Sequence, residues 1–214
     1  MKNQVTFDRI HSVKLDLSKE FKELFPRMTS LLEQASVIDF TLNRNQRFRQ
    51  YVWTKNGLSY GWLCKLEHCI PVGRNIIDEH VLFSTNVGGI INYWTDGNKD
   101  EDTFIDANEC TFSLTETFVG GGLDHCFSRS SGNKGDLNVN SCVTFALEQN
   151  GNVTFYNYQT KEIFIYLHDD YSPFEVEPYE VAPPIAIYRY KGVVSFVDYV
   201  ETLADQWSRV VGSN

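Results

Sequence analysis

The sequence predicts an α+β protein with a central antiparallel sheet and helices near both ends of the chain. Aromatic residues make up 14% of the 214 residues, a density typical of β-rich proteins with broad apolar faces. Asn-Gly pairs at 56–57 and 150–151 each separate two apolar runs, which is the strongest short signal for a β-hairpin. Apolar residues at helical spacing follow over 195–210.

A chain of this length is expected to form one domain, here residues 1–214, with an N-terminal helical extension at about 1–45. No run reaches the roughly 18–20 apolar residues of a membrane span. The first residues, Met1-Lys2-Asn3-Gln4, lack the apolar stretch of a secretory signal. We therefore expect a cytoplasmic protein with no membrane partner.

Residues 13–42 are predicted to form a short pair of amphipathic helices. Ser18 can cap the first helix, and Pro26 either ends it or opens the second. Apolar residues recur at helical spacing on both sides of this proline, at Leu17, Phe21, Leu24, Leu31, Leu32, Ala35 and Ile38.

The Asn-Gly pair at 56–57 predicts the first hairpin, because aromatic-rich runs flank it. A two-residue turn at this point would pair Trp53 with Tyr60 and Tyr51 with Trp62 across the strands. Pairs of this kind stabilise a sheet by roughly 0.2–1 kcal/mol each.

A helix followed by a strand is predicted next. Gly88-Gly89 suits a left-handed helix cap, and the apolar run 90–94 after it is typical of a strand. Residues 95–141 are expected to be loops, with one short helix near 114–118. The predicted helix carries an apolar stripe at Ile76, His80, Phe83 and Val87.

Three strands and a last helix complete the prediction. Apolar runs at 143–147, 153–158 and 163–167 favour an antiparallel meander, and the proline-rich stretch 169–184 favours an extended surface loop. Ser195 and Asp198 form a capping box that opens the helix 195–210. The predicted buried stripe of this helix is Phe196, Val200, Leu203, Trp207 and Val210, and its water-facing side is Asp198, Glu201, Asp205 and Arg209.

Two residue groups suggest chemistry, although a structural interpretation is favoured for both. Asp124-His125-Cys126 resembles a nucleophile beside a base, yet sequence neighbours rarely point at each other. Cys64, His68 and Cys69 form one imperfect half of a zinc pattern, where structural zinc usually needs two short spacings. The five cysteines are therefore predicted to be reduced packing residues, with no metal, no disulfide and no cofactor. His80 is predicted to be a hydrogen-bonded core histidine.

The charge distribution gives the strongest physical indication of a partner. Residues 1–75 carry 12 Lys/Arg and 7 Asp/Glu, whereas residues 76–214 carry 7 and 21. The two parts have net charges of +5 and −14 and together give the −9 of the whole chain. Such a surface repels nucleic acid and steers a basic protein toward itself.

Three segments resemble the SMI1/KNR4-like proteins of the SUKH superfamily. Residues 80–91, with His80-Val81-Leu82-Phe83 and Val87-Gly88-Gly89-Ile90-Ile91, are similar to its "H-x-x-L…x-G-G-I" segment. Residues 195–204 resemble its closing helix, and 145–152 its "F-A-x-d-x-x-G" strand pair. The long 95–141 region departs from the pattern. The resemblance implies an antiparallel sheet packed by helices from both chain ends, and an immunity protein that binds a toxin, often a nuclease, without catalytic residues.

If the chain is an immunity protein, its loop carboxylates are the best candidates for contacting a basic toxin domain, because loops vary without disturbing the sheet. Three alternatives remain open: an enzyme with a cleft in 95–141, a regulatory scaffold, and a carbohydrate-binding module built on exposed Tyr51, Trp53, Tyr60 or Trp62. The candidate partner-binding residues are Asp100, Glu101, Asp102, Asp169, Asp170, Glu175 and Glu177.

Overall fold

The predicted α+β class is confirmed. A computed structural model describes residues 7–43, 45–67, 73, 75–96, 103–105, 108–115, 137–148, 151–168, 172–179 and 187–212. Its helices in these ranges are α1 (Lys19–Leu24), α2 (Pro26–Leu32), α3 (Asp78–Asn86) and α4 (Phe196–Val211). Its strands are β1 (Phe7–Ser12), β2 (Ser36–Leu42), β3 (Gln46–Lys55), β4 (Leu58–Lys65), β5 (Gly89–Thr95), β6 (Asn108–Thr111), β7 (Cys142–Glu148), β8 (Val153–Asn157), β9 (Ile163–Tyr166), β10 (Val176–Pro178) and β11 (Ile187–Tyr190).

The strands form an antiparallel sheet in which consecutive strands pair from β1 to β9. Strand β11 then pairs with β9, so β10 lies at the far edge. Among the described residues, β5 and β6 share a single residue pair, Ile90 with Thr111. The sheet therefore has two halves, β1–β5 and β6–β11. In the described ranges each helix is too short or too polar to traverse a lipid bilayer.

The first hairpin has the predicted register. Trp53 pairs with Tyr60, and Tyr51 pairs with Trp62. Asn56 and Gly57 have φ angles of 52° and 79°, so both occupy the left-handed region that a type I′ turn requires. All four aromatic residues are buried, at 3%, 8%, 0% and 0% exposure in the order just given. This burial removes the surface on which the carbohydrate-binding alternative depended.

The helical prediction for 13–42 is correct only for Lys19–Leu24 and Pro26–Leu32. Ser36–Leu42 is strand β2, with Val37 and Asp39 buried in alternation. Helical spacing continues through Ala35 and Ile38, yet the segment is β-branched and aromatic, and pairing with β3 along its whole length stabilises the strand. Strand β1, which the sequence analysis did not predict, extends this half of the sheet.

Three loop predictions also need correction. The region 95–141, predicted to be loops with one short helix, contains strand β6, which pairs with β7. Leu114 and Thr115 form a bend instead of the start of the predicted short helix, and their backbone N–H groups donate to the Glu67 carboxylate. Residues 116–118 lie outside the described residues. The extended stretch 169–184 contains strand β10, which pairs with β11.

Helix α4 begins with the predicted capping box. The Ser195 hydroxyl accepts from the Asp198 N–H, and the Asp198 carboxylate accepts from the Ser195 N–H. The predicted stripe is buried except at Val210, which is partly exposed, and Val211 is buried in its place. Residues Phe196, Val200, Leu203 and Trp207 complete this stripe.

The acidic side of α4 contacts α2, whereas the sequence analysis predicted that this side faces water. The Glu201 carboxylate accepts from the Arg27 and Met28 N–H groups at 3.0 and 3.1 Å, which satisfies donors at the start of α2. The Asp205 carboxylate accepts from Arg27 Nη1 at 2.7 Å. The N-terminal and C-terminal helices thus pack together on one face of the sheet, hereafter the inner face.

Candidate functional site

Two of the seven predicted acidic candidates lie in the described part of the chain. Glu175 and Glu177 flank the first residue of β10, and both are exposed. Strand β10 pairs with β11 on one side and with no other described strand on the other. The remaining five candidates, Asp100, Glu101, Asp102, Asp169 and Asp170, lie outside the described residues.

Glu177 lines a shallow groove of about 240 Å³, hereafter the β10 groove. The turn after β11 forms one wall, and the residue that precedes β9 contributes a second carboxylate. The polar and exposed residues of the groove are Glu162, Glu177, Arg189, Lys191 and Val194.

The two cations of the β10 groove already have partners. Arg189 Nη2 lies 3.5 Å from Glu162 Oε1, and its guanidinium carbon lies 4.4 Å from the centre of the Tyr179 ring. Lys191 Nζ lies 3.6 Å from Glu175 Oε2. Glu177 is directly opposite Arg189 in the strand register, yet Arg189 turns away from it. Among the described residues the Glu177 carboxylate therefore has no ion-pair partner.

An apolar side chain lines the same groove as this carboxylate. Val194 is 65% exposed, which is unusual for a large apolar residue in the described part of the chain. A lysine or arginine side chain combines an aliphatic stem with a charged head. The β10 groove offers a matching arrangement, with Val194 for the stem and Glu177 for the head.

Strand pairing and chain reversal create the β10 groove. Glu162 precedes β9, Glu177 belongs to β10, and Val194 follows β11. The sequence analysis identified Glu177 from its charge but missed Glu162, Arg189, Lys191 and Val194. No spacing in the sequence brings these segments together, since β10 reaches the edge only because β11 pairs with β9.

A second polar cluster surrounds His80, which is fully buried as predicted for a core histidine. Its Nε2 lies 3.1 Å from the Phe112 carbonyl oxygen, and its Nδ1 lies 3.1 Å from the Tyr156 hydroxyl. A carbonyl can only accept, so Nε2 carries the proton of the neutral ring and Tyr156 donates to Nδ1. The Ser84 hydroxyl donates to the same Phe112 carbonyl.

The His80 cluster is suited to holding elements together. Burial lowers the pKa of His80 to about 4, so the ring is neutral near pH 7. Phe112 has a φ angle of 62°, a strained conformation for a bulky residue. Its carbonyl orientation is fixed by the donors from α3, which joins α3 to the end of β6.

This buried histidine predicts a pH-dependent stability. Between pH 6.5 and about 4 the unfolded chain binds a proton at residue 80 while the folded chain does not, so acid favours unfolding. We expect His80 to lower the free energy of unfolding by about 3 kcal/mol as pH falls through this window. Urea unfolding from pH 7.5 to 4 measures the effect. His80→Gln should unfold with a shallower pH dependence, and an unchanged dependence would contradict the assignment.

The Glu67 carboxylate forms a third buried cluster, at 5% exposure. It accepts from the Ser113 hydroxyl at 2.7 Å and from the Leu114 N–H, the Thr115 N–H and the Thr115 hydroxyl. Four donors fix this carboxylate against residues 113–115. Its lone pairs therefore stabilise a turn.

Two of the five cysteines are described in full. Cys64 and Cys142 are buried free thiols. Burial raises the pKa of the Cys64 thiol well above its ordinary value and that of Cys142 to about 12, so neither is a thiolate at neutral pH. His68, Cys69 and 124–126 lie outside the described residues.

No described set of three or more His, Cys, Asp or Glu side chains is arranged to hold a metal ion. The absence of zinc and disulfide stays a prediction. Elemental analysis of protein purified without added metal should find less than a tenth of an equivalent of zinc. A thiol count under denaturing, anaerobic conditions should find all five cysteines free.

Comparisons with known proteins give no match to a family model, a curated protein or a solved structure.

Proposed function

We propose that this chain is a non-catalytic binding protein of the immunity type, which neutralises a basic toxin domain by direct contact. The observation that carries the proposal is the exposed Glu177 carboxylate, which has no ion-pair partner among the described residues and lines the same groove as Val194, in a part of the chain with a net charge of −14. A basic side chain of the partner would complete the β10 groove. Glu175, which is also exposed on this edge, would add to the docking surface, and the other five acidic residues stay candidates from the sequence.

The buried polar clusters support binding over catalysis. The ring nitrogens of His80 are hydrogen-bonded to Tyr156 and Phe112, and the Glu67 carboxylate is hydrogen-bonded to residues 113–115. A general base must reach a substrate proton within about 2.6–3.2 Å, and both of these side chains are enclosed by the fold. The proposal therefore needs no cofactor and no metal, and it places the protein in the cytoplasm with a protein partner and no nucleic acid.

The test uses the product of the neighbouring gene as a candidate partner. We expect a pull-down to capture it and the association rate to fall steeply with added salt, because opposite charges steer the encounter. Glu177→Lys should slow association about five-fold or more at low salt. Reversing Asp169 and Asp170 together should act in the same direction.

Glu23→Lys is the matched control. Glu23 is exposed on α1, and its replacement changes the net charge by the same amount as Glu177→Lys. A local contact at the β10 groove makes Glu177→Lys the more damaging of the two, whereas long-range repulsion alone would make them equal. An association rate that does not change with salt and does not fall in any of these charge-reversal variants would contradict binding through the acidic surface. Failure of any neighbouring product to bind would count against the immunity proposal itself.

A further inference from the structure

The face of β1–β5 opposite the helices, hereafter the outer face, is rich in apolar side chains. The strand registers place Ile10, Phe40 and Phe48 in one row across the sheet. Leu63 lies in the next row, across from Gln50. The apolar residues of the outer face are Ile10, Ile38, Phe40, Leu42, Phe48, Val52, Leu63 and Trp94.

These eight side chains lie outside the two hydrophobic core clusters, although Phe48 is itself buried, at 7% exposure. The main core contains residues of the inner face and the four helices, and a smaller core packs on β7–β9 and β11. The eight outer-face residues are absent from both cores and from the partly buried residues around them. Ile10 is 65% exposed, and the others except Phe48 are partly exposed.

Two contacts make the outer face flat. Trp94 is paired with Gly61, and a Cβ atom at residue 61 would lie only 2.0 Å from its indole ring. The glycine therefore lets the indole lie directly against the strands. Phe40 and Phe48 stack with their ring centres 5.4 Å apart and their planes at 16°. Flat apolar faces of this kind pack against other sheets in β-sandwiches.

The charge of the outer face is unlike that of the whole protein. Its described residues carry one cation, Lys65, and one carboxylate at the edge, Asp96, which accepts from the Ser59 N–H, so the face is near neutral although the chain carries a net charge of −9. Its polar side chains are mainly uncharged, among them Gln46, Gln50 and Asn92. Amide groups both donate and accept hydrogen bonds, so such a face can meet an identical copy of itself without like-charge repulsion.

We infer that the outer face binds a second copy of this chain in an isologous, sheet-on-sheet dimer. Five strands spaced about 4.8 Å apart, with about seven residues each, cover on the order of 600 Å² in projection. Because side chains protrude, the accessible surface of the outer face is larger than its projected area. This accessible surface approaches the ~800 Å² per partner of a standard interface. A two-fold axis through the face would place the Phe40 and Trp94 regions of the two copies against each other.

Sedimentation velocity of the whole chain from about 1 to 200 µM tests this inference. We expect a concentration-dependent shift from 24.6 kDa toward twice that mass, undiminished by salt because apolar contact drives it. Ile10→Lys should weaken the dimer at least ten-fold, and Leu63→Lys more. Ile10 is exposed, so its replacement leaves the fold intact even if Leu63→Lys does not.

Val194→Lys is the matched control, since Val194 is equally exposed but lies at the other end of the sheet. It should leave the dimer unchanged. A monomer at every concentration, or a dimer that ignores Ile10→Lys, would overturn the inference. If Ile10→Lys instead abolishes capture of the neighbouring gene product by a monomeric chain, the occupant is that partner and the dimer is wrong.

Discussion

Trp207→Ala is expected to lower the free energy of unfolding by about 3–5 kcal/mol, as for large-to-small replacements in a packed core. Trp207 is 1% exposed, and its ring centre lies 5.1 Å from Trp62 and 5.7 Å from Trp53. Its buried indole N–H has no hydrogen-bond partner in the described part of the chain. The loss should therefore come from packing between α4 and the first half of the sheet. Chemical denaturation followed by circular dichroism measures it.

Trp207→Phe tests packing at nearly constant helix propensity, because Trp and Phe have similar helix propensities and alanine has a higher one. This replacement keeps an aromatic ring and leaves no buried N–H without a partner, so it should cost clearly less than alanine. If Trp207→Phe and Trp207→Ala lost the same free energy of unfolding, the loss would not depend on the packing of the aromatic ring. A loss below about 1 kcal/mol for alanine would contradict the central place of Trp207 in the core.

Asp39→Ala is expected to destabilise the fold by a similar amount, about 3–5 kcal/mol, because it leaves a largely buried cation without its carboxylate. Arg49 donates to Asp39 through Nε at 2.7 Å and Nη2 at 3.0 Å, across paired strands. Burial alone would lower the pKa of Arg49, yet its hydrogen bonds to Asp39 raise it above the ordinary value. Arginine keeps its proton at neutral pH even without a carboxylate partner, so the guanidinium stays charged in the variant.

A double replacement tests this explanation. Asp39→Val combined with Arg49→Met removes both charges, so it should recover much of the stability that Asp39→Ala loses. Arg49 Nη1 also donates to the Asn86 carbonyl at the end of α3, so some loss should persist. If the double variant loses as much free energy of unfolding as Asp39→Val and Arg49→Met lose together as single variants, the two residues are not energetically coupled.

Local signals in the sequence predicted much of the fold. The Asn-Gly turn fixed the pairing of Trp53 with Tyr60, and Ser195 with Asp198 fixed the start of α4. The error at 36–42 arose because apolar residues in that segment satisfy the helical period, whereas its strand conformation depends on pairing with a distant segment. Strand β1 escaped prediction because its residues alternate weakly and it is stabilised through β2.

The sequence predicted less of the candidate site. Charge identified Glu177, but whether a carboxylate is free depends on where neighbouring cations point. Arg189 faces Glu177 in the register and still turns to Tyr179 and Glu162. The outer face was likewise hidden, because alternating apolar residues on both faces of β2–β4 do not reveal which face the helices cover.

Because β5 and β6 share a single described residue pair, the order of synthesis determines when the two halves of the sheet become joined. Helix α4 bridges the two halves of the sheet, with Trp207 against Trp53 and with Phe196 against Phe145. The ribosome makes α4 after every described strand, so both halves emerge before the helix that joins them. Chains generally fold from the N-terminus as they emerge. The β1–β5 half must therefore exist for a time with its inner face covered only by α1–α3, and the part around Trp53 and Trp62 that Trp207 later covers is open to a chaperone during that interval.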